Sequence, residues 1–350
     1  MTRIGHHHGW IACLAVVVTA TATLAGPLNP PAGPVASTGK TLTEVEPRIA
    51  ISKANTPGDA DSVFKITQPG SYYLPENIIG VAGRHGIEIV SSGVTLDLNG
   101  FDLAGVPGSL DGVTTTVSDL VNIVVRNGSV RGWGSEGVNL SSAGSVVSDI
   151  SASLNGFIGI QVLGAGGIIS RCAAFSNVIG IATGPGCTIA GCTVSFSTGV
   201  GISAGEGNTI LGCTVYANGG VGINAWTSST VSGCTSRGNG LDGIRCTAHC
   251  LIISNLCSAN GAAGDGAGIR VTNNDNRIEG NNCLANDRGL DVDSSGNFIA
   301  RNTCSGNTTN WDVVAGNVIL LVAGTPAPAV LGNSGGAAPG STDPNANFTY

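Results

Sequence analysis

Two arginines and two aspartates in the C-terminal half of the chain have side chains suited to acid–base chemistry: Arg245, Arg270, Asp291 and Asp293. Asp291 and Asp293 are two residues apart, so one strand would hold their carboxylates about 6.5–7 Å apart, near the separation used in inverting glycoside hydrolysis. The arginines could instead fork a uronate carboxylate and assist removal of the neighbouring proton, as a polysaccharide lyase requires. An Arg–Asp ladder that only decorates a solvated sheet is the third alternative.

The residues around these four suit contact with sugar. An exposed tryptophan offers a flat apolar ring, and asparagine and threonine offer hydrogen-bond partners for hydroxyl groups. The predicted substrate-binding residues are Asn224, Trp226, Thr247 and Thr272. The pattern requires no resident metal, but Ca²⁺ is left open as a cofactor because carboxylates are among its preferred ligands. Its ligands would be drawn from Asp242, Asp265, Asp287 and Asp291.

A repeat of about 21 residues positions all of these side chains. Each unit opens a strand with an apolar residue, carries Cys or Asn three residues later, and then reaches Asn or Ser and a Gly-Ile pair or a close variant. A period of this kind means that one structural unit is stacked many times, each burying its apolar face against the next. The opening residues are Val147, Ile169, Ile189, Ile210, Val231, Ile252, Ile278 and Ile299.

The composition of the repeat predicts strands rather than helices. Each unit has three short apolar stretches that alternate with period two and are separated by Asn, Gly and Ser turns. The prediction is an all-β parallel coil of about ten turns, with three short strands per turn. A long spacing between early units predicts that residues 106–119 protrude as a loop. The Gly-Ile strand would carry the eight candidate residues on its outer face, beside extra residues at 261–268.

Three runs of the sequence resemble the right-handed parallel β-helix repeat proteins, a group that includes pectate-lyase-like enzymes and NosD-type periplasmic β-helices. The runs are Phe64–Ile78, Ser92–Gly105 and Val121–Gly134, followed by the recurrent coils. The resemblance implies a right-handed winding and a substrate groove on the outer face of one sheet. It implies no particular activity, because the Gly-His-Gly, Arg-Ile-Lys, Asn-Thr-Asp and Asp-Pro-His-Asp signatures of the family's enzymes are absent from this sequence.

The two ends of the chain differ in composition from the repeat. Residues 1–25 combine Arg3, an apolar run from Trp10 to Val18 and a small-residue exit, which predicts a secretory signal peptide. Residues 26–59 are predicted to be a Pro/Ala-rich linker and lead-in segment, residues 60–322 the parallel β-helix, and residues 323–350 a Gly/Pro-rich C-terminal tail. The expected location is secreted or extracytoplasmic, in a periplasm or at the cell surface.

Charge limits the classes of partner. The net charge is −7 and no basic run offsets it, which argues against nucleic acid. The N-terminal apolar run is too short for membrane insertion, and a monomer is expected. The preferred function is binding or processing of a polysaccharide or cell-surface glycan, expected to be acidic and uronate-containing. An enzyme of this kind would be a polysaccharide lyase or an inverting glycoside hydrolase. The alternative is a non-catalytic structural or adhesive protein of the cell envelope.

Eleven cysteines in an exported protein would ordinarily indicate disulfides. Most of them fall in columns of the repeat, where stacked Cβ atoms lie about 4.8 Å apart, whereas a disulfide needs about 3.5–4.5 Å. The favoured prediction is a ladder of small buried thiols, with a Cys172–Cys192 bridge as the alternative. Cys246 and Cys250 lack the further ligands of a zinc or copper site. The columns are Cys172, Cys192, Cys213 and Cys234, and then Cys257, Cys283 and Cys304.

Overall fold

The computed structural model describes residues 46–262, 264–320, 322–324 and 343–350. From Arg48 onward they form a right-handed parallel β-solenoid of about 13 turns. The predicted all-β, right-handed coil is confirmed, but the predicted number of about ten turns was too low, because the earliest turns do not follow the repeat. Among the described residues no helix is long and apolar enough to cross a membrane. The predicted signal peptide lies outside the described residues.

One sheet has twelve parallel strands and receives one strand from nearly every coil. Its strands carry the Gly-Ile segments that the sequence predicted to bear the site. In chain order they are β2 (Ser62–Ile66), β5 (His85–Ile89), β8 (Val113–Thr115), β10 (Val138–Leu140), β12 (Ile158–Val162), β15 (Ile179–Thr183), β18 (Ile202–Ala204), β21 (Ile223–Ala225), β24 (Ile244–Cys246), β27 (Ala267–Val271), β30 (Arg288–Val292) and β33 (Thr309–Val313).

The remaining strands form a twenty-four-stranded sheet, to which most coils contribute two strands. Three strands per coil were predicted and are observed. They are β1 (Ile49–Ala50), β3 (Gly70–Tyr73), β4 (Ile78–Ile79), β6 (Val94–Asp97), β7 (Asp102–Ala104), β9 (Val124–Arg131), β11 (Val146–Ser153), β13 (Ile168–Ser170), β14 (Ala173–Phe175), β16 (Thr188–Ala190), β17 (Thr193–Ser195), β19 (Thr209–Leu211), β20 (Thr214–Tyr216), β22 (Thr230–Ser232), β23 (Thr235–Arg237), β25 (Leu251–Ile253), β26 (Leu256–Ser258), β28 (Arg277–Glu279), β29 (Asn282–Leu284), β31 (Phe298–Ala300), β32 (Thr303–Ser305), β34 (Val318–Ile319), β35 (Val322–Ala323) and β36 (Asn347–Thr349).

The early coils close around Trp133, which is 1% exposed. Its indole N–H donates to the carbonyl oxygen of Leu103 at 3.1 Å. Gly112 lies so close that a Cβ there would stand 2.9 Å from the indole nitrogen, so only glycine lets the chain pass over the ring. The predicted loop at residues 106–119 is therefore wrong in part. Within this stretch Val113–Thr115 form strand β8, which pairs with both neighbouring strands of the twelve-stranded sheet.

Each corner of the coil carries a row of small polar side chains. Asn260 shows the pattern, since its Oδ1 accepts from the backbone N–H of Asn239 at 3.1 Å and its Nδ2 donates to Asn286 Oδ1 at 3.0 Å. The sequence revealed two such rows as columns of the repeat. The third was missed, although its members always lie two residues before the opening apolar residue. It contains Cys187, Asn208, Ser229, Cys250, Asn276, Asn297 and Asn317.

The ten cysteines within the described residues are buried and unpaired, which confirms the ladder of thiols. Cys257, Cys283 and Cys304 occupy successive register positions in one sheet, as predicted. Burial raises the pKa of Cys187, so this thiol stays protonated and acts as a packing group rather than a nucleophile.

Candidate functional site

The twelve-stranded sheet brings all eight predicted site residues onto one outer face. Strand register aligns the first column on β21, β24, β27 and β30, and it contains Asn224, Arg245, Arg270 and Asp291. The residues between the two columns point inward and are fully or almost fully buried. The second column, one position beyond them, contains Trp226, Thr247, Thr272 and Asp293.

Both arginines that the sequence singled out are already engaged by aspartates. Arg270 Nε lies 2.9 Å from Asp293 Oδ2 and 3.6 Å from Asp291 Oδ2. The Arg245 guanidinium lies 2.6 Å from Asp242, whose side chain is buried. The two carboxylates that were predicted to flank a glycosidic bond therefore hold one guanidinium between them. This geometry favours the Arg–Asp ladder over an arginine fork that waits for a uronate.

Arg288 was not predicted as a site residue, yet it is the centre of this cluster. Its guanidinium lies 2.9 Å from Asp291, 2.9 Å from Asp265 and 3.2 Å from Asp312. Asp265 belongs to the extra residues at 261–268, so that insertion does reach the predicted face. Period-two alternation offers no signal for this residue, because residues three apart on one strand point to opposite faces, and Arg288 reaches Asp291 from the first position of β30.

Asp291 is the most perturbed acid of the cluster. It is 3% exposed, and burial together with the negative charge of Asp293 raises the pKa of Asp291 to about 6. Arg270 and Arg288 oppose this rise without cancelling it. A carboxyl that can hold a proton near pH 6 is suited to donate that proton to a leaving group, although structural ion-pair networks produce such shifts as well.

Trp226 lies three coils before Asp291 and stands 57% exposed beside an open trough. The trough has a volume of about 250 Å³, and its lining consists of Thr183, Ser203, Ala204, Gly205 and Trp226. A Cβ at Gly205 would stand 2.8 Å from the backbone of Gly184, so the stacked backbones leave no room for a side chain there. We call this feature the Trp226 trough.

The coils that form the Trp226 trough contain outward polar groups without protein partners. Within the described part of the chain, the side chains of Gln161, Ser203 and Asn224 make no hydrogen bond. By contrast, the predicted ligand Thr247 shares a hydrogen bond of 3.0 Å with Thr227. Of these coils, the sequence pattern had singled out the one with Asn224 and Trp226, and no side chain of the two coils before it. One signal in the sequence could have revealed the trough. Glycine occupies the second outward position of the two coils before Trp226, at Gly184 and Gly205.

A second acidic group lies at the N-terminal end of the same face. Carboxylate oxygens of Asp59, Asp61 and Glu88 lie within 4.8 Å of one another. The Lys65 ammonium is 2.7 Å from Asp59 and 2.9 Å from Glu88, and its hydrogen bond lowers the pKa of Asp59. One lysine therefore pairs with two of the three carboxylates of this group.

Two family models match the chain. One describes a right-handed β-helix region and covers residues 70–239, and the other describes a periplasmic copper-binding protein, NosD, and covers residues 176–322. The chain belongs to the right-handed β-helix repeat family. No curated protein matches this β-helix protein.

Several solved structures share its fold. The Dettilon tailspike protein is 18% identical with a TM-score of 0.58, and the match covers 69% of this chain and 58% of the tailspike. The A-module of the Azotobacter vinelandii mannuronan C-5 epimerase AlgE4 is 14% identical with a TM-score of 0.49, covering 72% of this chain and 91% of the module. Pectate lyase Pel9A is 15% identical with a TM-score of 0.38, covering 72% and 66%. The β-helix protein thus spans less than two thirds of the tailspike, and its likeness to the tailspike shows the fold alone.

Copper, which one family description names, does not fit the described residues. Copper prefers thiolate, thioether and imidazole ligands. Among the described residues, the one group of three convergent ligand atoms is the carboxylate set of Asp59, Asp61 and Glu88, and Lys65 is already paired with two of these carboxylates. The cysteines are buried along columns of the coil and do not converge in threes.

Proposed function

We propose that this β-helix protein binds a polysaccharide along the outer face of the twelve-stranded sheet, with the Trp226 ring as the main contact. The observation that carries the proposal is the exposed indole beside an open trough. A flat aromatic surface of this kind stacks on the apolar face of a sugar ring.

The groups around the ring supply the polar half of sugar recognition. Ser203 and Asn224 present a hydroxyl and an amide that no described residue uses, and both lie on the strands beside the trough. A protein surface gains from such groups when a ligand supplies the missing partners, because each new hydrogen bond stabilises the complex by about 0.5–1.5 kcal/mol. A merely structural coil has no need of an exposed tryptophan next to unpaired donors.

The test is native affinity electrophoresis of purified protein through gels that contain soluble polysaccharides. Wild type should be retarded by at least one polymer, and Trp226→Ala should abolish most of that retardation. Tyr216→Ala is the matched control, because Tyr216 is an exposed aromatic residue on the other sheet. Equal retardation of wild type and Trp226→Ala would place binding elsewhere and reject the proposal.

Catalysis is the second candidate, because the pKa of Asp291 is raised to about 6. Asp291 would donate its proton to the glycosidic oxygen, while Asp293 takes a proton from the water that attacks the anomeric carbon as the glycosidic bond breaks. The Arg270 guanidinium would have to leave the space between the carboxylates when substrate binds. Asp291→Asn should then lose activity in a reducing-sugar assay while it keeps its retardation in the gels. A new absorbance at 235 nm would indicate the lyase reaction instead.

We also propose an extracytoplasmic location and a monomer. The location is supported by the signal-like composition of residues 1–25 and by a matching family described as periplasmic. Cell fractionation with N-terminal sequencing of the mature chain tests the location, and light scattering tests the monomer. Cytoplasmic recovery of the intact chain would contradict the first, and a doubled mass the second.

A further inference from the structure

We infer that the ligand of the Trp226 trough is an uncharged stretch of polysaccharide rather than a uronate chain. The inference rests on the proposed function, since it names the chemical class of the sugar that the same site takes. It replaces the expectation of an acidic substrate that the sequence suggested.

The first line of evidence is the scarcity of charge around the trough. Residues 150–236 contain two charged side chains, Arg171 and Glu206. Arg171 follows a strand of the other sheet and is paired with Asp149 at 2.8 Å. Glu206 directly follows Gly205 in the trough and is exposed. A uronate in the trough would therefore meet a carboxylate and no cation, which opposes its binding.

The second line of evidence comes from the arginines farther along the same face. Arg245, Arg270 and Arg288 each lie within 3 Å of an aspartate oxygen. Five aspartates share these three arginines, so the cluster does not carry a net positive charge; they are Asp242, Asp265, Asp291, Asp293 and Asp312. A uronate that extended from the trough toward this cluster would have to displace carboxylates that are already bound.

The third line of evidence is the shape of the second column before Trp226. Register places Leu163, Gly184 and Gly205 in successive coils directly before it. A Cβ at Gly184 would stand 1.9 Å from the Leu163 carbonyl oxygen, so this strip must remain flat. Three coil steps of about 4.8 Å give a strip of roughly 14 Å that ends at two exposed apolar side chains, Leu163 and Trp226. Such a strip suits a short run of sugar rings that lies along the solenoid axis.

Affinity electrophoresis with a panel of neutral and uronate polysaccharides, at low and high NaCl, tests the inference. Neutral polymers should retard wild type equally at both salt concentrations, because no ion pair contributes. Trp226→Ala should weaken the retardation roughly tenfold or more, Trp226→Phe should keep most of it, and Tyr216→Ala should match wild type. Uronate polymers should retard neither wild type nor these three variants.

The outcomes separate the two proposals. Retardation by uronate polymers alone, lost at high salt, would overturn the neutral-sugar inference and leave polysaccharide binding standing. Retardation by neither class across the panel would overturn both. A fourth variant, Glu206→Lys, guards against a folding artefact because it changes an exposed side chain. A gain of uronate binding in that variant would show that charge alone excludes uronates from the trough, and unchanged exclusion would contradict this argument.

Discussion

Residues 150–236 and residues 237–313 share one backbone repeat and one strand register, but their surfaces differ in kind. The first region, the middle coils, contains two Asp, Glu, Lys or Arg residues, and the second region, the C-terminal coils, contains fourteen. The middle coils leave outward polar groups and Trp226 open to solvent, whereas most charged side chains of the C-terminal coils are paired with one another. The difference shows that a surface rich in charged side chains can have those charges paired with one another and unavailable to a ligand. A surface with few charges can still present unpaired polar groups and an aromatic ring to a ligand.

The same contrast extends to the corner that carries the asparagine row. In the C-terminal coils, Asn260 accepts two hydrogen bonds from Asn239 and donates to Asn286 and Ser236. One middle coil has Ser197 at this position, and its buried hydroxyl oxygen has no partner, whereas Asn155, Asn177 and Asn218 make the bonds of the row in the other middle coils. The row is therefore interrupted at Ser197 and is continuous from Asn218 to Asn307.

The largest expected effect concerns this row. Asn260→Ala should lower the free energy of unfolding by about 2–5 kcal/mol, because it leaves buried donors and acceptors without partners. Ser197→Ala, at the same position of a middle coil, should change it by less than about 1 kcal/mol. Urea denaturation followed by circular dichroism measures both. Equal losses would show that the two regions do not differ in how their corners are held.

The next largest effect concerns the exposed aromatic residues. Trp226→Ala should weaken polysaccharide binding by about 1–3 kcal/mol through loss of the stacking surface, without loss of stability, since the side chain points outward. Tyr216→Ala should leave binding unchanged, because Tyr216 packs edge-to-face against Phe196 at a centroid distance of 5.6 Å. Isothermal titration measures both variants. A larger loss for Tyr216→Ala would indicate that the sugar binds at Phe175, Phe196 and Tyr216 on the other sheet.

The third prediction distinguishes a buried ion pair from an exposed one by how the stability of each variant depends on pH. Asp291 has a raised pKa, so its contribution to stability is fully present below about pH 4 and is lost as pH rises through about 6. Arg288→Met removes a counter-charge and should raise that pKa further, so the variant should lose about 1–3 kcal/mol at pH 8 and less at pH 5. Thermal melts across this range measure the difference.

Arg171→Met is the control for that experiment. The Arg171–Asp149 pair is exposed, and Arg171 lowers the pKa of Asp149, so its carboxylate stays charged from pH 5 to pH 8. The control should lose little stability, and by the same amount throughout this range. A loss for Arg288→Met that is also constant with pH would contradict the role assigned to Asp291.

The smallest expected effect concerns Glu206. Glu206→Gln should change affinity for a neutral polysaccharide less than twofold, because a neutral sugar makes no charge-dependent contact there. The same titration at two salt concentrations measures it. A large change would mean that Glu206 itself binds the sugar, and the binding site would then include Glu206.

Much of the fold could be predicted because each structural level repeats the same period. An apolar residue every 21 or so positions fixes which side chains stack, and period-two alternation then fixes which face inward. The two outward columns of the candidate site followed from this alternation and are observed. The early coils could not be predicted in this way, because they do not follow the repeat. They pack around Trp133, which contacts residues far away in sequence, such as Leu103.

The energetics of the site were less accessible from the sequence. Period and alternation place Arg270 and Asp291 on one face, but they do not say whether the guanidinium faces a ligand or the neighbouring carboxylate. Arg288 was missed because alternation assigns residues three apart, such as Arg288 and Asp291, to opposite faces of a strand. The Trp226 trough was missed because glycine forms its floor, and glycine has no side chain whose chemistry could mark a binding site.

The most direct test of ligand binding at the trough is a crystal structure of the protein with an oligosaccharide of the polymer that binds best. We predict a sugar ring stacked on Trp226, with hydroxyl groups bonded to Ser203 or Asn224 and the Arg270–Asp293 pair intact. A sugar bound instead between Asp291 and Asp293, with Arg270 displaced and Trp226 in solvent, would contradict the assignment of the site to the middle coils.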